Sequence, residues 1–135
     1  MFELDLRLVT DTENVGMLEL CRVLLMRDAR YPWLTLVPAK PNLVEISDLS
    51  PKDRTLLMEE ITAAGDALAD LYRPEKINTG TLGNIVRQLH VHIVARNSGD
   101  PAWPGPVWGH STPAAYNLGQ MEVRLREIKA ALGVA

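Results

Sequence analysis

An α+β domain, with a mostly antiparallel five-stranded sheet and helices packed on one face, is the architecture this chain predicts. Three observations carry that expectation. Short runs rich in β-formers between Met17 and Ile46 are separated by turn residues; a long amphipathic helical pattern follows Ser50; further strand-like runs between Lys76 and Arg96 precede a second helical stripe near the C-terminus. At 135 residues, 47% hydrophobic and 23% charged, the chain reads as one domain over 1–135. The loop and helix of 100–133 form a C-terminal extension to it.

Phe2 to Val9 alternates acidic and apolar residues and is compatible with a short helix or an edge strand. Met17 to Met26 is an apolar run read as a strand. Asp28 and Pro32 mark a turn, and Trp33 to Val37 returns as the second strand of a hairpin, stopped by Pro38 and Pro41. Leu43 to Ile46 offers a short third strand. Ser50, Pro51 and Asp53 supply an N-cap, a first-turn proline and a carboxylate at the positive end of the helix dipole. Leu57, Ile61, Ala64, Leu68 and Leu71 form the buried stripe, and Pro74 ends the helix. Lys76 to Thr81 is the fourth strand, Gly80 and Gly83 allow a bend, and Ile85 to Arg96 is the fifth. Asp100 to Gly109 holds three prolines and two tryptophans, so it is a loop that folds over its own domain or a neighbouring subunit. Thr112-Pro113 opens a last helix with Leu118, Met121, Leu125, Ile128 and Leu132 as its stripe.

The formal charge of −3 argues against a duplex nucleic-acid binder, which needs basic surface, but leaves room for a small phosphorylated ligand. Cys21 is the only cysteine, so no disulfide closes within the chain, and it reads as an inert buried thiol. No secretory leader or membrane-length apolar run is apparent, and a cytoplasmic protein is the expectation.

The most informative segment is Arg87-Gln88-Leu89-His90-Val91-His92-Ile93-Val94-Ala95-Arg96. On a strand, Gln88, His90 and His92 share one face, and Leu89, Val91, Ile93 and Ala95 share the other, which has the character of a core face. Three readings of the histidine pair stand side by side. They are hydrogen-bonded polar residues of no chemical role; or two ligands of a metal, which would need a third such as His110; or a nucleophile and its helper at a phosphorus centre, since neutral imidazole attacks and moves protons well near pH 7.

The stretch Asn78-Thr79-Gly80-Thr81-Leu82-Gly83-Asn84-Ile85-Val86-Arg87-Gln88-Leu89-His90-Val91-His92-Ile93-Val94 resembles the signature of the histidine-triad (HIT) superfamily, His-φ-His-φ-His-φ-φ with φ apolar. Leu24-Leu25-Met26, Asp28, Pro32-Trp33-Leu34, Asp48-Leu49-Ser50 and Asp100-Pro101-Ala102-Trp103-Pro104 extend the likeness to a bacterial, diadenosine-tetraphosphate-hydrolase-like branch, over nearly the whole chain. The resemblance implies a HIT-like fold and a nucleotide-binding hydrolase or transferase. Such an enzyme acts on the α-phosphate of dinucleoside polyphosphates or nucleoside phosphoramidates through a nucleotidyl-histidine intermediate.

By that resemblance His90 is the nucleophile, and His92 orients it and assists charge or proton transfer. Gln88 stands where the first triad histidine belongs, able to hydrogen-bond but not to titrate. Asn84 and Asn78 match amide positions near phosphate and leaving group, and Asp28 an acceptor of ribose hydroxyls. Arg96 is expected as a solvated charge at the strand end, His110 as a bystander, and Trp103 and Trp108 as packing or subunit contacts. The resemblance further implies a homodimer and no required cofactor, with magnesium accompanying a polyphosphate substrate as an option. The alternatives are a nucleotide-binding regulatory module without turnover, and a metal-dependent hydrolase ligated by His90 and His92.

Overall fold

A computed structural model describes residues 1–135. A short helix α1 (Leu6–Asp11) leads into strands β1 (Thr12–Met17), β2 (Cys21–Met26) and β3 (Trp33–Pro38). A 3-10 turn (Ile46–Asp48), helix α2 (Pro51–Tyr72), strands β4 (Lys76–Gly80) and β5 (Val91–Arg96), and helix α3 (Gln120–Leu132) complete the order. The five strands make one sheet in the order β1-β2-β3-β5-β4, every neighbouring pair antiparallel. The chain leaves β3, crosses through α2 to the far edge, and returns as β5 between β3 and β4. No helix is long and apolar enough to cross a membrane.

α2 begins as its sequence dictates: Ser50 Oγ accepts the Asp53 N–H at 3.1 Å and Pro51 takes the first turn. It ends at Arg73 in the left-handed region (φ 47°), directly before Pro74. Ala64 and Leu68 from its stripe join Ile128 of α3 and Val23, Leu25, Leu34, Leu36, Val91, Ile93 and Ala95 of the sheet in the main core. Both long helices therefore cover one face. The opposite face has two smaller covers. Leu8 of α1, with Phe2 and Leu4, packs on Leu24 and Val37 at one end. At the other, Ala102 and Val107 of the C-terminal loop pack on Tyr31, Trp33 and Val94. Between these covers lies His92.

Several expected boundaries are corrected. The single strand expected over Met17–Met26 is the last residue of β1, a turn and the whole of β2: Leu18 N–H donates to Cys21 O at 2.9 Å, and Glu60 of α2 accepts the Leu20 and Cys21 N–H groups at 2.8 Å each. A carboxylate reaching from the helix thus satisfies a turn the apolar run concealed, and burial together with that carboxylate pushes the Cys21 thiol up. Leu43–Ile46 is not a strand. The fifth strand starts at Val91 rather than Ile85, because Leu89 N–H donates to Leu43 O (2.9 Å) and His90 O accepts from the Thr81 hydroxyl (2.7 Å) instead of forming a ladder. The last helix starts at Gln120, not Thr112. Residue 114 bonds the turn before β3 through Ala29 N–H to Ala114 O (2.8 Å), and Leu118 is fully exposed.

Candidate active site

His90 closes the loop between β4 and β5, and His92 is the second residue of β5. Both are buried, each 6% exposed. His90 Nδ1 lies 2.6 Å from the carbonyl oxygen of Gln88. A carbonyl only accepts, so Nδ1 carries the proton and Nε2 presents its lone pair. His92 is held the opposite way. The indole N–H of Trp33 donates to its Nδ1 at 3.0 Å, and Thr35 Oγ1 stands 3.1 Å from the same nitrogen. Indole is a donor only, so His92 Nδ1 accepts and Nε2 carries the proton. The two rings meet edge to face at 4.9 Å. The buried side-chain polar atoms without a partner are Tyr31 Oη and Trp108 Nε1, so both imidazole Nε2 atoms stay open to solvent.

The register explains the setting. Thr35 and Gly80 are the direct cross-strand partners of His92 on β3 and β4. The Trp108 indole lies against Gly80, where a Cβ would come within 3.0 Å of its ring, and tilts over His92 at 5.7 Å. Trp33 closes the same side at 5.6 Å. Burial among these rings, with His90 as a lesser contribution, pulls the His92 pKa down to about 3. A histidine in the unfolded chain binds a proton near pH 6.5 and the folded one does not, so unfolding takes up a proton and stability falls as pH drops from 6.5 towards 3. By pH 5 the cost is about 2 kcal/mol. Melting temperatures at pH 7 and pH 5 should show it, and His92→Asn should remove most of the difference.

Arg96 is not a solvated strand end. It is 1% exposed, gripping both oxygens of Asp100 (2.7 and 3.0 Å), Asn78 Oδ1 (2.8 Å) and Gly105 O (2.8 Å), with its guanidinium over the Tyr31 and Trp103 rings. Burial would push the Asp100 carboxyl up, but the hydrogen bonds and charge of Arg96 outweigh it and hold the pKa low. This knot fixes the loop that carries Trp108.

Asn78 sits on β4 two residues before Gly80, its amide oxygen taken by Arg96. Asn84 is exposed on the loop before His90. Asp28, 1% exposed, is bidentate to Arg30 (3.0 and 2.9 Å) and also accepts the Ala114 N–H at 3.3 Å; burial raises its carboxyl, yet these partners leave it low. It closes the β2–β3 turn. His110 is exposed, beside Ser111. Gln88 is also not on a strand face with the histidines. Its amide oxygen accepts the Asp5 N–H and its NH₂ donates to Glu3 O, both at 2.8 Å, which staples the N-terminal segment to the loop. Its backbone carbonyl is what reaches His90. Gln88→His cannot reproduce both amide bonds, so it should cost about 1–2 kcal/mol without raising turnover, read by thermal melting and rate side by side.

A cleft of about 220 Å³ opens between residues 44–47 and 81–89, walled partly by Gln88 and Leu89, although neither imidazole lines it. No group of three or more His, Cys, Asp or Glu side chains converges in the chain, and the Nδ1 atoms of His90 and His92 are committed to Gln88 and Trp33.

Trp33, Thr35, Thr81 and Trp108 belong to this site and were not singled out for it from sequence. The signal for the first two was the strand Trp33–Val37 itself, had its pairing with β5 been known.

The family model for the HIT domain matches residues 7–99. Three bacterial histidine-triad structures are similar along the whole chain. That from Bradyrhizobium japonicum is 43% identical, with a TM-score of 0.95 over 97% of this chain and 98% of that one. That from Sinorhizobium meliloti is 43% identical, with a TM-score of 0.94 over 97% of each. That from Marinobacter aquaeolei is 40% identical, with a TM-score of 0.95 over 98% and 97%. No curated protein matches.

Proposed function

The chain belongs to the HIT family, whose members bind nucleotides and act as hydrolases or transferases, and from that premise we propose that it transfers a nucleoside monophosphate through His90. One observation carries this reading: the Gln88 carbonyl holds the proton on His90 Nδ1 and leaves the Nε2 lone pair without a partner in the chain. The substrates are dinucleoside polyphosphates or nucleoside phosphoramidates. The His90 Nε2 lone pair forms a bond to the α-phosphorus as the bond to the leaving group breaks, and the leaving group departs with that electron pair. The positive charge arising on the ring is spread to Nδ1–H and its carbonyl partner. Water then attacks phosphorus, loses a proton to solvent, and returns the P–N electron pair to Nε2.

His92 supports both steps as a neutral Nε2–H donor to the phosphate oxygens, the role of a preorganised dipole. The test is product analysis with diadenosine tetraphosphate, joined to mass spectrometry of the protein quenched during turnover. AMP release and a His90 peptide heavier by one nucleotidyl group are the expected results. Nucleotide binding with neither product nor adduct would instead establish a binding module.

A further inference from the structure

Trp33 and His92 lie 59 residues apart in sequence and meet because β3 and β5 are neighbours. The bond between them has one possible sense, since an indole nitrogen donates and never accepts. Thr35 Oγ1, the other group at Nδ1, accommodates either sense by rotating its hydroxyl, so it is Trp33 that decides the tautomer. The remaining groups packed against His92 are Gly80 of β4, the Trp108 indole and the His90 ring. None is a carboxylate or an ammonium. Gln88, which the triad pattern places nearest, has its amide bound to Glu3 and Asp5, and the nearest guanidinium along β5, Arg96, is closed by Asp100.

We infer that Trp33 is a positioning residue that locks His92 as a donor which never becomes an acid, and so confines the chain to leaving groups that depart as anions. The inference rests on the nucleotidyl-transfer reading above and narrows its substrate class. When His90 Nε2 bonds to phosphorus, a phosphoric or acyl-phosphoric anhydride releases a stable oxyanion that takes the P–O electron pair and needs no proton. The amine of a phosphoramidate must gain a proton as the P–N pair moves to nitrogen, and an imidazole whose single proton sits on Nε2, with Nδ1 capped by an indole, has none to give at neutral pH. The near-absence of proton uptake by His92 in the folded state agrees with the geometry.

The experiment compares three donors that share AMP: diadenosine tetraphosphate, the p-nitrophenyl ester of AMP, and AMP amidated by an aliphatic amine. The wild-type chain should release AMP from the first two, and from the amidate about 100-fold more slowly or worse, the contribution a general acid would have made. Nitrogen-15 spectra of histidine-labelled protein should show His92 as a single Nε2–H tautomer that does not titrate between pH 5 and 8. In Trp33→Phe the tautomers should mix, and the anhydride rate should fall about 10-fold, the worth of one buried hydrogen bond. An amidate cleaved as fast as the ester, or a wild-type His92 that titrates between pH 5 and 8, overturns the inference while leaving nucleotidyl transfer in place. AMP from none of the three donors overturns transfer and the inference together. Both wild-type readouts stand even if Trp33→Phe fails to fold.

Discussion

Replacing His90 with alanine should reduce AMP release by about 10⁴-fold or more, the scale on which removal of a covalent nucleophile is felt. Nothing nearby can take over. His92 Nε2 carries a proton rather than a lone pair, and no thiol or carboxylate lies against either imidazole. The fold should survive, because the side chain's one protein bond is to a backbone carbonyl and the loop keeps its anchors through Thr81 and Leu43. Steady-state rates with the melting temperature alongside check both halves. A variant that melts like wild type and still releases AMP at a tenth of its rate would move the chemistry away from this residue. His90→Asn, which cannot attack phosphorus, should match the alanine variant.

Arg96→Met should be the most damaging single change to stability, at about 3–5 kcal/mol by urea denaturation. Most of that cost comes from what is left behind. Asp100 would keep a charge with 7% side-chain exposure, while Asn78 and Gly105 would lose their donor. Arg96→Lys should recover little, since one ammonium cannot span Asp100, Asn78 and Gly105 at once. Removing Asp100 as well should be less harmful than the two single losses added together. Activity should fall beyond the fraction unfolded, because the knot holds the loop that brings Trp108 onto Gly80.

What could be read from sequence was what local periodicity encodes. Alternation across Leu89–Ala95 placed Leu89, Val91, Ile93 and Ala95 in the core, and the stripe of α2 reached the same core. Ser50 and Pro51 marked the helix start to the residue. The strand edges failed where a non-local hydrogen bond decided them: Glu60 at the β1–β2 turn, Leu43 and Thr81 at His90. One sign was present, for Glu60 falls three residues after Leu57 and four before Ala64, a carboxylate on the buried side of its helix. The pairing of Trp33 with His92 had no local sign, since it depends on the strand order. Alternation puts Gln88 on one strand face with His90 and His92, but the strand begins three residues later, at Val91.

The opposed tautomers have a consequence for how a nucleotide arrives. One carbonyl and one indole convert two identical rings into an electron-pair donor and a hydrogen-bond donor. The half-buried guanidinium of Arg30 and the buried one of Arg96 are each cancelled by an aspartate, and the chain as a whole is at −3. A polyanionic ligand is therefore not drawn in by a net positive charge on the chain; at the two rings it meets short-range dipoles. At a net −3 the chain as a whole repels a polyanion, and added salt screens a repulsion rather than an attraction.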